Sequence, residues 1–152
     1  MNTDIATADI AHIIQLAVAP VFLIAGIGAL LNVLTSRLGR VVDRARGLEA
    51  ELAVAGDEER RSRILAELKG IDRRMVRINA AVTLSTLAAL LVCLVIMFLF
   101  AGELLSADLS RIIAGLFVAT MGALIGGLCF FLGEISIATR MLRVRTELLK
   151  TS

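Results

Sequence analysis

Charged and uncharged positions divide the chain sharply. No Asp, Glu, Lys or Arg occurs within residues 13–35, 78–102 or 112–133, runs of 23, 25 and 22 residues. About 20 mostly apolar residues in a helix cross a hydrocarbon core of about 30 Å. Lipid offers no hydrogen-bond partner to a free backbone group, so each crossing segment is predicted to be helical. Transmembrane helices are therefore expected over about 13–35, 79–101 and 111–133.

The helical pattern continues beyond these runs. Leu38, Val41, Ala45, Leu48 and Leu52 recur at steps of 3 and 4, as do Ile64, Leu68, Ile71, Met75, Ile78 and Val82. A period near 3.5 is the seam of packed helices. Between the two seams Gly56 suits a left-handed helix stop. Asp57 is placed to cap the next helix, with Glu58 and Glu59 on its positive end. Glu59–Arg63 and Arg63–Glu67 are expected as i,i+4 pairs. Residues 36–78 thus read as an antiparallel helical hairpin. Ile137, Met141, Val144 and Leu148 repeat the spacing, so residues 134–150 read as a tail helix. The expected architecture is all-α: three long helices, about 11–54, 57–101 and 108–149, running up, down and up.

Composition supports this division and charge gives it a direction. The chain of 152 residues is 58% hydrophobic and 20% charged, with no Trp or Tyr. Of its sixteen basic residues, eleven lie in 36–79 and four after Glu134, leaving only Arg111 on the other side. The positive-inside rule then places the hairpin and the C-terminus in the cytoplasm and the N-terminus outside. A bacterial inner-membrane location is expected. Residues 1–12 contain no Lys or Arg, so the first run reads as a retained anchor rather than a signal peptide. Segment 36–79 also holds eight acidic residues, too balanced for a nucleic-acid surface.

Small residues are arranged for close helix contact. Gly115, Ala119, Ala123 and Gly127 form a ladder on the third helix, flanked by Gly122 and Gly126. Such ladders drive helix association in lipid. They serve either contacts within one chain or contact with a second copy.

Few positions carry candidate chemistry. Glu134 closes the third run, and an acidic group at membrane depth is by default a functional position. The simpler reading is an ion pair with Arg37 and Arg77, which flank the other two runs. Asn32, Asn79 and Thr83 would form a polar vestibule at the inner membrane edge, or only interhelical hydrogen bonds. Pro20 is expected to kink the first helix. Arg37, Arg40, Arg73, Arg74, Arg77, Arg140 and Arg143 are suited to anionic lipid headgroups, or to a solvated face. Cys93 and Cys129 differ in depth by about 12 Å, too far for a disulfide, and read as packing residues. One histidine, His12, makes no metal site. No cofactor motif or nucleophile–base set is found, so no enzyme is expected.

Four segments resemble the bacterial membrane-protein family catalogued as domain of unknown function 2721. They are Ala19-Pro20, the stretch Leu30-Leu31-Asn32-Val33-Leu34-Thr35-Ser36-Arg37-Leu38, the stretch Arg73-Arg74-Met75-Val76-Arg77-Ile78, and Gly133-Glu134-Ile135. The resemblance covers residues 10–145 and implies a small multi-pass inner-membrane protein without assigned activity. Gly133 stands where the family pattern would have an aromatic residue.

The expected function is a non-enzymatic membrane protein that self-associates or supports a membrane partner. A homo-oligomeric channel or small-solute transporter is the alternative. The bilayer itself, including anionic headgroups, is the expected environment.

Overall fold

The structure is a computed structural model. It describes the backbone of residues 2–105 and 108–148, and the side chains of residues 14–102, 104–105 and 108–135. Three helices make up the fold: α1 (Asn2–Val54), α2 (Glu58–Leu104) and α3 (Ser110–Leu148). No strand occurs among the described residues. Each helix contains a stretch long and apolar enough to cross a membrane, with mean hydropathy of 2.3, 2.8 and 2.2. At most 22% of any of these stretches is buried within the chain. Apolar helices so little covered need an apolar surrounding.

α1 starts earlier than the apolar pattern suggests and runs unbroken through Pro20. The proline ring removes the amide that would bond the carbonyl of Leu16. Gly47 and Gly70, each unfavourable in a helix interior, do not interrupt α1 or α2.

The turn between α1 and α2 follows the expected capping with one correction. Asp57 Oδ1 accepts from the Glu59 amide at 3.4 Å, and the Asp57 carbonyl accepts from the Arg61 amide at 3.0 Å. Glu58 and Glu59 occupy the first turn of α2, where the helix dipole favours them. Gly56, however, does not take the left-handed conformation. The end of α1 is closed instead by a bond from the Ala55 amide to the Leu52 carbonyl at 3.4 Å. The Arg61 guanidinium also donates to the Ala55 carbonyl at 3.4 Å.

The chain forms two compact units. The first comprises Met1–Leu31 and Leu84–Ile125. Its core is Ile27, Ala88 and Val92, joined by Leu23, Leu31, Ile96 and Leu124 among others. Ala88 and Ser85 are fully buried, as is Thr120, whose hydroxyl donates to the Leu116 carbonyl at 2.8 Å. Ala123 of the predicted ladder belongs to this core. Gly115, Ala119 and Gly122 lie on exposed positions.

The second unit comprises Asn32–Thr83 and Gly126–Ser152. Val41, Leu48, Ala55, Ile64, Ile71 and Ile78 are its buried cluster, with Leu38, Ala45, Leu52, Leu68, Met75 and Val82 against it. Every residue of the two hairpin seams is therefore in the core. The Glu59–Arg63 pair forms. The Arg63–Glu67 pair does not, because Glu67 is taken by Arg44 of α1. Arg44 donates to Glu67 Oε1 from Nη2 at 2.7 Å and from Nε at 3.1 Å. The hydrogen bond, and then the carboxylate charge, raise the Arg44 pKa further above its ordinary value.

Buried positions recur every seven residues. In and just beyond α1 they are Pro20, Ile27, Leu34, Val41, Leu48 and Ala55. In α2 they include Ile64, Ile71, Ile78, Ser85 and Val92, and in α3 Thr120, Gly127 and Glu134. This is the heptad step of helices that keep one narrow face inward.

Asp108 caps α3. Its Oδ1 accepts from the Ser110 amide at 3.2 Å. Bonds from the Ser110 side chain and then its backbone hold the carboxyl below its ordinary pKa of 3.8. A depressed carboxyl contributes stability above the unfolded value, and that stability is lost as pH falls through the folded value. The melting-temperature gap between the wild type and Asp108→Ala is therefore expected to be constant near neutral pH and to shrink below pH 3.8. A gap unchanged at acid pH would remove this role.

Candidate functional site

The seven-residue step of α3 brings Glu134 inward. Thr120 and Gly127 precede it on the same face, and all three are buried. Burial of a carboxylate is costly unless it is paired and hydrogen-bonded. Glu134 is 1% exposed; its Oε1 accepts a charge-assisted hydrogen bond from Arg74 Nε of α2 at 2.8 Å, and Arg74 Nη2 lies 2.7 Å from the same oxygen as an ion pair. Both distances are in the range of strong, charge-assisted contacts. Its Oε2 lies 3.7 Å from Arg77 Nη2, an ion pair too long for a hydrogen bond.

The expected partners of Glu134 are thus half right. Arg77 is beside it, but the direct bonds come from Arg74. Arg37 does not pair with it; its guanidinium lies over the ring of Phe131, 5.2 Å from the centroid. That is within cation–π range. Arg74 was readable as the partner from the hairpin seam. It lies three residues after Ile71 and four before Ile78, both buried, and so shares their face. Glu134 was readable from the tail seam, since it stands three residues before Ile137 and seven before Met141.

A cleft of about 210 Å³ opens over the pair, lined by Arg37, Arg40, Arg44, Arg74 and Glu134 with Val41, Ile71 and Ile78 as its apolar wall. Four arginines line it and only one acidic residue. Among the described residues, no carboxylate pairs with Arg37 or Arg40.

The other predicted site residues lie apart from this cleft. Asn32, Asn79 and Thr83 are all exposed. The Thr83 hydroxyl donates back to the Asn79 carbonyl at 2.9 Å, and Thr35 to the Asn32 carbonyl at 3.2 Å. Among the described residues, no hydrogen bond or ion pair joins Asn32, Asn79 or Thr83 to Glu134. Cys93 and Cys129 are free thiols at exposed positions, not packing residues as expected. Each sits one or two places past a buried position, Val92 and Gly127, and is turned off the inward face. Gly127 is buried and Gly126 half-buried, so the C-terminal end of the α3 ladder is used within the chain. The side chains of His12, Arg140 and Arg143, and of the tail seam from Ile137 on, lie outside the described residues. No group of carboxylates, histidines and cysteines suited to a metal occurs among the described residues.

Three membrane-capable helices with an internal arginine–carboxylate lock define an all-α protein of membrane-spanning type. Residues 17–144 match the model of the family described as "Protein of unknown function (DUF2721)". The match extends over most of the chain, which belongs to this family. No curated protein and no solved structure matches it.

Proposed function

We propose that the chain is a non-enzymatic, multi-pass protein of the bacterial inner membrane that self-associates or supports a membrane partner. The observation that carries this reading is the outer half of the α3 ladder. Gly115, Ala119 and Gly122 recur at steps of 4 and 3 on exposed positions. A Cβ added at Gly115 or Gly122 meets nothing within 4 Å. These glycines are therefore not needed for contacts inside the protomer. In lipid, small residues on a helix surface permit close backbone approach by another helix.

Charge asymmetry supports an inward-facing hairpin and C-terminus, with fifteen basic residues on one side of the spans and Arg111 on the other. The non-enzymatic reading rests on the absence of any catalytic motif in the sequence.

The test is the mass of the particle in native lipid. The wild type is expected as a dimer or larger assembly, or with a stoichiometric partner. Gly115→Leu/Gly122→Leu places both side chains on exposed positions whose Cβ atoms meet nothing within 4 Å, and is expected to weaken assembly by about tenfold or more while retaining full helicity. A wild-type monomer with no copurifying protein overturns the proposal.

A further inference from the structure

The arginine cleft has a composition that pairing within the chain does not explain. Arg74 is held by Glu134 through Nε and Nη2. Arg44 is held by Glu67 in the same two-pronged way. Arg37 is steadied over Phe131. Three of the four guanidiniums are therefore oriented by contacts of their own, and all four arginines line one opening. Glu134 does not offset their combined charge, because its own is shared by Arg74 and Arg77. Arg37 and Arg40 have no carboxylate partner among the described residues. Guanidiniums gathered in this way repel one another unless an anion lies among them.

The position of the cleft narrows the choice of anion. Arg37 is two residues beyond the first uncharged run, Arg74 four before the second, and Glu134 one beyond the third. These positions lie at the polar ends of the spans, at the depth where lipid phosphates are found. Arginine is the cation whose flat fork matches phosphate oxygens two at a time.

We propose that the cleft bounded by Arg37, Arg40, Arg44 and Arg74 binds a phosphate group whose negative charge is not balanced by a cation of the same molecule. Arg37 and Arg40 supply the direct contacts, and the Glu134–Arg74 pair forms a fixed floor. The shared chemistry is a phosphate ester, carried by an anionic lipid headgroup or by a soluble phosphate compound. The site does not depend on the association state of the protein.

The experiment titrates the full chain in non-ionic detergent with phosphatidylglycerol, phosphatidylcholine, glycerol 3-phosphate and inorganic phosphate. Bound ligand is read by native mass spectrometry. The wild type is expected to retain one phosphatidylglycerol in preference to phosphatidylcholine. Arg37→Gln/Arg40→Gln is expected to weaken that binding by about tenfold or more. Arg46→Gln/Arg60→Gln removes the same charge away from the cleft and is expected to change it less than about twofold. Arg37→Lys/Arg40→Lys keeps the charge without the forks, and an intermediate loss is expected.

If glycerol 3-phosphate or inorganic phosphate binds as tightly as the lipid, with the same dependence on Arg37 and Arg40, the phosphate comes from solution. If they compete only at far higher concentration, it comes from lipid. Either result supports the site. Equal retention of the two lipids by the wild type with no binding of the soluble phosphates overturns it, a result that requires no variant to fold. Equal losses in Arg37→Gln/Arg40→Gln and Arg46→Gln/Arg60→Gln also overturn it, since the attraction would then be diffuse.

Discussion

Glu134→Ala is expected to lower the melting temperature of the detergent-solubilised protein by about 4–8 °C. Removing one partner of a fully buried ion pair costs about 3–5 kcal/mol, because the other charge is left without compensation. Here Glu134 is 1% exposed, but Arg74 and Arg77 are 37% and 32% exposed. Water recovers part of the arginine solvation, so about 2 kcal/mol is the better figure. That converts to the stated shift for a chain of this size. The loss should be specific to the unpaired charge. In Arg74→Met/Glu134→Met the bonded pair goes together and apolar volume replaces it, leaving only Arg77, 3.7 Å away and 32% exposed, without its carboxylate. This double variant is expected to regain at least half of the lost temperature, as replaced buried pairs often do. If Glu134→Ala melts within about 1 °C of the wild type, the pair has no structural role.

Leu48→Ala is expected to increase local opening of the hairpin. Leu48 is 1% exposed and is part of the buried cluster with Val41, Ile64 and Ile71. Truncating a buried leucine costs about 2–5 kcal/mol, the spread reflecting how far neighbours close the cavity. Taking about 3 kcal/mol, the open population of the hairpin rises about 150-fold. Hydrogen exchange is the suitable readout, because opening is expected to be local rather than global. Amides in 38–54 and 58–78 should exchange about a hundredfold faster. Glu49→Ala, one position away and exposed, should leave these rates within about twofold of the wild type. Unchanged exchange in Leu48→Ala would mean that the two hairpin arms do not depend on their shared seam.

Where the chain repeats a period, it could be read closely. Leu38 to Leu52 and Ile64 to Val82 all reach the hairpin core because a step of 3 and 4 leaves one face apolar over several turns. Asp57 was legible as a cap because its side chain acts on amides two residues away, a purely local contact. Gly56 was not, because the same end of α1 can close through Leu52 and Arg61 without a left-handed residue. Glu134 was found as an unusual charge, but its partner depended on which arginine shares the inward face. Spacing from Ile71 and Ile78 contains that information, while proximity to the end of the apolar run points only to Arg77. The ladder on α3 was legible as small residues, but not its division into a covered C-terminal end and an uncovered N-terminal half. That division depends on where the helix meets its neighbours, which glycine content does not encode. The convergence of Arg37, Arg40, Arg44 and Arg74 was equally hidden. It joins residues of two helices, and basic residues beside an apolar run are read first as an orientation signal.

The seven-residue recurrence of buried positions in all three helices limits how the chain can change length. One residue inserted within a helix turns everything after it by about 100°, so each following inward side chain is replaced by an outward one. Insertion after Gly127, for example, would carry Glu134 off the inward face and separate it from Arg74. Two whole turns restore the facing, so the helices can gain or lose residues only in blocks of seven, about 10 Å at a time. Variation of other lengths is confined to the positions between the helices, such as Gly56 and Asp57, which are exposed and follow the last buried residue, Ala55.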